Sequence, residues 1–245
     1  MIRRWIFAPL VAVWLAMGSD ASAQVAKPED IALANAEYLI WHQVTAALAH
    51  QHGRKSDPWL SAVYALGRVG EGETAVEIER LLFVAETWLV AGDEGPLPKG
   101  LTDVGIDAEL ARKVLCYVAG EGPGRAHALI GKWGDPVTSL DCAPEMAADF
   151  ETADKSFRDF PPGQGDKVRI KYGADRWATL TAEHEILEDL ADTLSADFDW
   201  PLGLALEIIP CGDVFSWYTA ETVTITLCSE TIGYLHRLAD GRIGY

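Results

Sequence analysis

The chain has 245 residues, of which 49% are hydrophobic, and a formal net charge of −17 at pH 7. That length and apolar content give one large domain or two small ones with a sizeable core, which excludes a disordered chain. So acidic a surface repels phosphate backbones and anionic lipid, which excludes nucleic acid and membrane surfaces as partners.

Residues 1–23 read as a secretory leader. Arg3 and Arg4 give a positive start, Trp5 to Met17 form an apolar run, and Ala21-Ser22-Ala23 supplies the small-x-small cleavage pattern. The mature chain is expected to start at Gln24 and to be periplasmic or secreted. No later segment offers the roughly 18 uninterrupted apolar residues of a membrane span. Four cysteines lie beyond the leader: Cys116, Cys142, Cys211 and Cys228. In an oxidising compartment they pair. Of the three connectivities, Cys116–Cys142 with Cys211–Cys228 closes the shortest loops. A cysteine zinc site is disfavoured, because there is no Cys-x-x-Cys.

The mature chain, 24–245, reads as a single α+β domain, with a helical part at 24–162 and a sheet part at 163–245. Apolar residues Ile31, Ala34, Tyr38, Trp41 and Thr45 recur at helical spacing, as do Ile78, Leu81, Leu82, Ala85 and Leu89. These predict two amphipathic helices, separated by a turn-rich stretch around Gly53 and at Gly67 to Gly72. Gly92 to Gly105 is glycine- and proline-rich and predicts a surface loop, and Asp107 to Ala119 predicts a further helix. Gly163-Gln164-Gly165, just after Pro161-Pro162, marks the expected internal boundary. Beyond it come a strand (Lys167 to Tyr172), a helix (Trp177 to Leu194), a strand (Leu204 to Pro210), a hairpin (Ser216 to Cys228) and a short final helix to Leu238. This is a small β-α-β-β-β sheet with a closing helix.

The first helix carries His42-Gln43-Val44-Thr45-Ala46. A zinc peptidase helix needs His-Glu-x-x-His, two imidazoles one turn apart to hold the ion and a carboxylate to take the proton of its water. Only the first position is met here. Gln43 takes no proton and Ala46 offers no ligand. His50 lies eight residues beyond His42, about 12 Å along the axis, too far to share an ion. His50 and His52 instead favour the negative end of the helix. His184 and Glu188 stand at i and i+4 in an acidic helix, a pattern expected of a solvated face. Gly70-x-Gly72-x-x-Ala75 lacks a β-α-β unit around it and reads as a capping turn. There is no Gly-x-Ser-x-Gly elbow and, with the cysteines paired, no thiol nucleophile.

Several blocks, in order along the chain, resemble a bacterial family of secreted metallopeptidases defined by sequence. Asn35-Ala36-Glu37-Tyr38-Leu39-Ile40-Trp41-His42-Gln43-Val44-Thr45-Ala46-Ala47-Leu48 is similar to Asn-x-x-Phe-x-x-x-His-Glu-Leu-Gly-His-Ala-Leu, and Gly53-Arg54-Lys55-Ser56-Asp57 stands for an acidic segment that follows it. Leu115-Cys116-Tyr117-Val118-Ala119-Gly120-Glu121-Gly122-Pro123 is similar to Leu-Cys-Trp-x-Tyr-Gly-Ser-Asp-Pro, and Cys142-Ala143-Pro144-Glu145 to Cys-x-x-Glu. Cys211-Gly212-Asp213 with Tyr218, and Ile225-Thr226-Leu227-Cys228-Ser229-Glu230, are similar to Cys-Gly-Glu-Ala-Asn-Ala-Phe-Tyr and Ile-Thr-x-Cys-Tyr-Glu.

The resemblance implies a zincin-like fold whose metal helix precedes its sheet, as after a circular permutation, and the same two disulfides. It also implies His42 as the vestige of a metal site. The departures fall on the chemistry, at Gln43, at Ala46 and in the acidic segment, of which only Asp57 remains. The expectation is an exported pseudoenzyme that has no catalytic residue, needs no cofactor and binds a protein or peptide of the cell envelope. The alternative is a divergent hydrolase that holds zinc through His42 with ligands recruited from Asp57, His50, His184 or Glu230.

Overall fold

The computed structural model describes residues 27–70, 80–81, 83–89, 98, 101, 108–121, 142–165 and 167–242. The expected leader, most of the glycine-rich loop and the start of the second predicted helix lie outside the described residues. The elements are α1 (Pro28–Gln51), α2 (Pro58–Val69), α3 (Ala108–Glu121), α4 (Cys142–Arg158), β1 (Val168–Tyr172), α5 (Arg176–Glu183), α6 (Ile186–Asp197), β2 (Leu204–Ile209), β3 (Ser216–Thr219), β4 (Thr224–Cys228) and α7 (Ser229–Arg242). Residues 80, 81 and 83–89 are also helical. This is an α+β architecture, as expected.

Helix α1 starts where Pro28 fixes the first turn and Glu29 and Asp30 complement the helix dipole. It is enclosed rather than amphipathic. Ile31, Tyr38, Leu39, Ile40, Val44, Ala47 and Leu48 are all buried, although they point in different directions around the axis. A helix that is apolar all round belongs at the centre of a core. Here α2, α7, β3 and β4 all pack on α1.

Between the two predicted helices the chain forms α2 rather than an extended turn region. Pro58 stands at its start and the Asp57 carboxylate accepts the Leu60 amide at 3.1 Å, so the first turn is both pre-shaped and capped. Gly70, in the dinucleotide-like sequence, is the C-cap of this helix.

The four strands form one sheet in the order β1-β2-β4-β3, with β1, β2 and β4 parallel and β3 antiparallel at the rim. Strand β2 alternates strictly. Leu204, Leu206 and Ile208 are buried, and the register sets Leu206 beside Ile225 and Ile208 beside Leu227 on the same face. On the opposite face Glu207 accepts from Thr226 Oγ1 at 2.7 Å and pairs with Lys171 at 3.4 Å. Helices α1 and α7 cover the apolar face over β4, and α6 covers it over β1 and β2.

The helix expected over Trp177 to Leu194 is two helices. Asp175 caps α5 by accepting from Trp177 and Ala178 at 2.9 and 3.3 Å, and the chain then breaks at His184 and Glu185, the latter in the left-handed region at φ 53°. His184 and Glu188 therefore do not share a continuous helix face.

At Gly163-Gln164-Gly165, the expected boundary between the helical part and the sheet part, the chain is tied to the end of α6. Gly163 and Gly165 donate to Ala196 O and Ser195 O at 3.2 and 3.3 Å. A side chain at Gly163 would run into the Ser195 carbonyl, so only glycine permits that approach. The end of α1 is also laced to the sheet part. His50 Nδ1 meets Tyr218 Oη at 3.1 Å, Gln51 donates to Gly203 O and accepts from Leu202 N at 3.1 Å each, and His52 Nε2 donates to Asp199 O at 3.0 Å. His50, in the last turn of α1, and His52, its C-cap, thus stand at the negative helix end as expected and also tie it to the sheet part. One hydrophobic core runs from Ile31 to Ala239.

Candidate functional site

The spacing of Asn35, Tyr38 and His42 puts them on one stripe of α1. Facing the first two is the helical stretch at 83–89. Asn35 Nδ2 donates to Ile31 O at 2.9 Å and to Thr87 Oγ1 at 3.1 Å, while Thr87 Oγ1 donates to Phe83 O at 2.7 Å. The Tyr38 ring lies edge-on to Trp88, with centroids 6.5 Å apart, and 6.3 Å from the His42 ring. Glu86 is fully buried in the same stretch.

This seam carries polar atoms without hydrogen-bond partners among the described residues: Asn35 Oδ1, Trp88 Nε1 and both ring nitrogens of His42. Burial without compensation disfavours the charged form, and it lowers the His42 imidazole to a pKa of about 4, while burial also pushes the Tyr38 phenol well up. His42 is therefore a half-buried residue whose imidazole is neutral and whose two ring nitrogens are shielded from solvent.

Its neighbours along the motif do other things. Gln43 Nε2 donates to Ser216 O at 3.4 Å, which fastens α1 to the start of β3. Glu37, one turn before Trp41, pairs with Arg80. Burial pushes the Glu37 carboxyl up, and the Arg80 charge and hydrogen bond pull against it. Sequence reasoning passes over Glu37, Glu86 and Thr87. The available signal is a carboxylate inside an otherwise apolar helix, which needs a partner when buried.

The remaining candidates are scattered, and the side chains of Asp57, His50 and Glu230 are engaged. Asp57 caps α2, and His50 contacts Tyr218. His184 is the C-cap of α5. The Glu230 carboxylate accepts from Cys211 N at 3.1 Å and Gly212 N at 2.8 Å. Burial raises Glu230, and the hydrogen bonds from Cys211, its own backbone and Gly212 outweigh this and hold it below the usual carboxylate range.

Cys211 and Cys228 form a disulfide, with Cα atoms 5.4 Å apart, so the expected C-terminal pair is present. Cys116 is disulfide-bonded too, and the side chain of its expected partner, Cys142, lies outside the described residues. Among the described residues, one group of His, Cys, Asp or Glu side chains is close enough to share an ion. It is Cys211, Cys228 and Glu230, with ligand atoms within 4.8 Å of one another. Both sulfurs are committed to the disulfide, so the oxidised chain offers only the carboxylate there.

Among the described residues, no helix is long and apolar enough to cross a membrane. Comparison with protein-family models, curated proteins and solved structures finds no match to the chain.

Proposed function

We propose that the chain is exported and serves as a catalytically inactive, zincin-like scaffold that binds a protein or peptide in the cell envelope. The observation that carries this reading is the state of His42. The histidine that a metal helix would use has both ring nitrogens shielded and unpartnered among the described residues, burial holds its imidazole neutral, and the next side chain is an amide already engaged with Ser216.

Two further features support it. Helix α1 lies against β3 and β4, the relation of metal helix to sheet that the resemblance implies. Three of the ligands a divergent hydrolase would recruit, Asp57, His50 and Glu230, already serve as a cap, a tie and a loop fastener. A scaffold kept by cysteines, a central helix and a sheet, without its proton acceptor, retains binding surface and loses turnover.

The test is a fluorescence-anisotropy screen of synthetic peptides against purified residues 24–245, with and without chelator. Saturable binding of a subset of intact peptides, unchanged by chelator, is the expected result. Cleavage of bound peptides that stops when chelator is added would overturn the proposal.

A further inference from the structure

The sheet ends on one side at β1, whose only strand partner among the described residues is β2. Leu204 N donates to Lys167 O at 2.9 Å and Gly173 N to Ile208 O at 2.7 Å, so the odd-numbered residues of this segment turn their backbone groups toward β2. In a parallel pair the residues between them face the other way. Val168, Ile170 and Tyr172 thus present N–H and C=O groups to the open side, where no described residue bonds them. Arg169, Ile170 and Lys171 are exposed, Ile170 by 38%, one of few large apolar side chains so placed.

A shallow depression of about 340 Å³ continues this edge between the start of β1 and α6. Val168, Ala191, Asp192 and Ser195 line it together with Gly163 and Gly165. Because both glycines are tied to carbonyls at the end of α6, this wall is built before anything binds.

Charge narrows the occupant. In a chain of net charge −17, the run Lys167-Val168-Arg169-Ile170-Lys171-Tyr172 alternates cation with apolar side chain and holds no acid. Lys167 is paired with Asp199 at 2.8 Å. Lys171 meets Glu207 at 3.4 Å with its side chain still 66% exposed, and Arg169 has no ion-pair partner among the described residues. A second copy of β1 pairing here would set cation against cation across the strands, which is unfavourable. An added strand that alternates acidic and apolar residues would meet Arg169 and Lys171 on one face and Val168 and Ile170 on the other.

We propose that the edge of β1 left unpaired among the described residues binds an extended peptide of alternating acidic and apolar residues as an added parallel or antiparallel strand, with one apolar side chain in the depression beside Val168. This rests on the peptide-binding reading above and locates it.

The experiment uses ¹⁵N-labelled residues 24–245 and synthetic peptides of about eight residues, one alternating Val and Glu, the other Val and Lys. The Val–Glu peptide should bind about tenfold tighter or better than the Val–Lys peptide, with a preference that weakens as salt rises. It should slow amide exchange at Val168, Ile170 and Tyr172. Arg169→Glu with Lys171→Glu should reverse the preference. Ile170→Pro removes one outward N–H and leaves the β2 ladder intact, so it should abolish binding. Equal binding of both peptides, or protection confined to other elements, would overturn the edge site while leaving peptide binding in place. If neither these peptides nor any in the wider screen bound, both readings would fall.

Discussion

The Tyr172 hydroxyl donates to Glu188 Oε2 at 2.6 Å while accepting the Leu187 amide at 2.8 Å. One residue at the end of β1 thereby serves as the cap of α6 and engages the carboxylate that a His184–Glu188 pair would have offered to a metal. Burial, the hydrogen bond to Glu188 and the nearby negative charges push the Tyr172 phenol above its usual range, so it stays protonated and able to donate.

Tyr172→Phe should therefore destabilise the fold by about 1–3 kcal/mol, since it removes a hydrogen bond to a charged group and strands a helix amide. Urea denaturation of the two proteins reads this directly. An unchanged midpoint would mean that the α6 terminus is satisfied without Tyr172.

Asp57→Ala should cost about 1 kcal/mol through the lost cap on α2. Asp57→Ser, which keeps a capping oxygen and removes the carboxylate, should restore most of that. If Asp57 were instead a metal ligand, serine would fail to rescue and metal content would fall with it.

The disulfide from Cys211 to Cys228 has a sequence separation of 17. Removing it with the double substitution Cys211→Ser and Cys228→Ala should lower stability by about 3 kcal/mol in the chain-entropy description. Non-reducing peptide mapping should recover Cys211 with Cys228 and Cys116 with Cys142. Cys116 joined to either C-terminal cysteine would contradict the pairing.

His42 makes the fold acid-sensitive. Its pKa is about 4 in the folded chain against 6.5 for an ordinary histidine. Below 6.5 the unfolded chain gains a proton that the folded one refuses, so this contribution is complete above pH 6.5 and is lost as pH falls toward 4. The full difference corresponds to about 3 kcal/mol. His42→Leu should flatten the stability profile over that window and raise the urea midpoint most near its acid end. Parallel profiles for the two proteins would show that His42 finds a partner in solution.

The parts of the fold that are legible in sequence are those where local pattern and environment agree. Strict alternation in Leu204 to Ile209 marks the buried and open faces of β2, and the Thr- and aromatic-rich run at Ser216 to Cys228 marks the hairpin. Cys142–Arg158 does not announce itself as a helix, because its burial is intermittent and it leans on α2 and α3 for support. The break at Glu185 is also invisible. A left-handed glutamate costs on the order of 1 kcal/mol by itself and is held by contacts such as Tyr172 to Leu187, which no local window contains. At the site, His42 is legible as an isolated histidine. The burial of its ring nitrogens is not, because it depends on elements distant in sequence that pack on α1.

The most direct test of the central claim is the zinc content of purified residues 24–245, measured by elemental analysis beside proteolysis of a general peptide substrate. A zinc-bound water needs several protein ligands and a base, and Gln43 and Ala46 remove one of each within a helical turn. Loss of the base alone commonly costs ~100- to 10,000-fold in rate. The protein should carry well below one zinc per chain and leave the substrate intact. Stoichiometric zinc that is lost in His42→Ala, together with cleavage that a chelator abolishes, would contradict the scaffold reading and establish a divergent hydrolase.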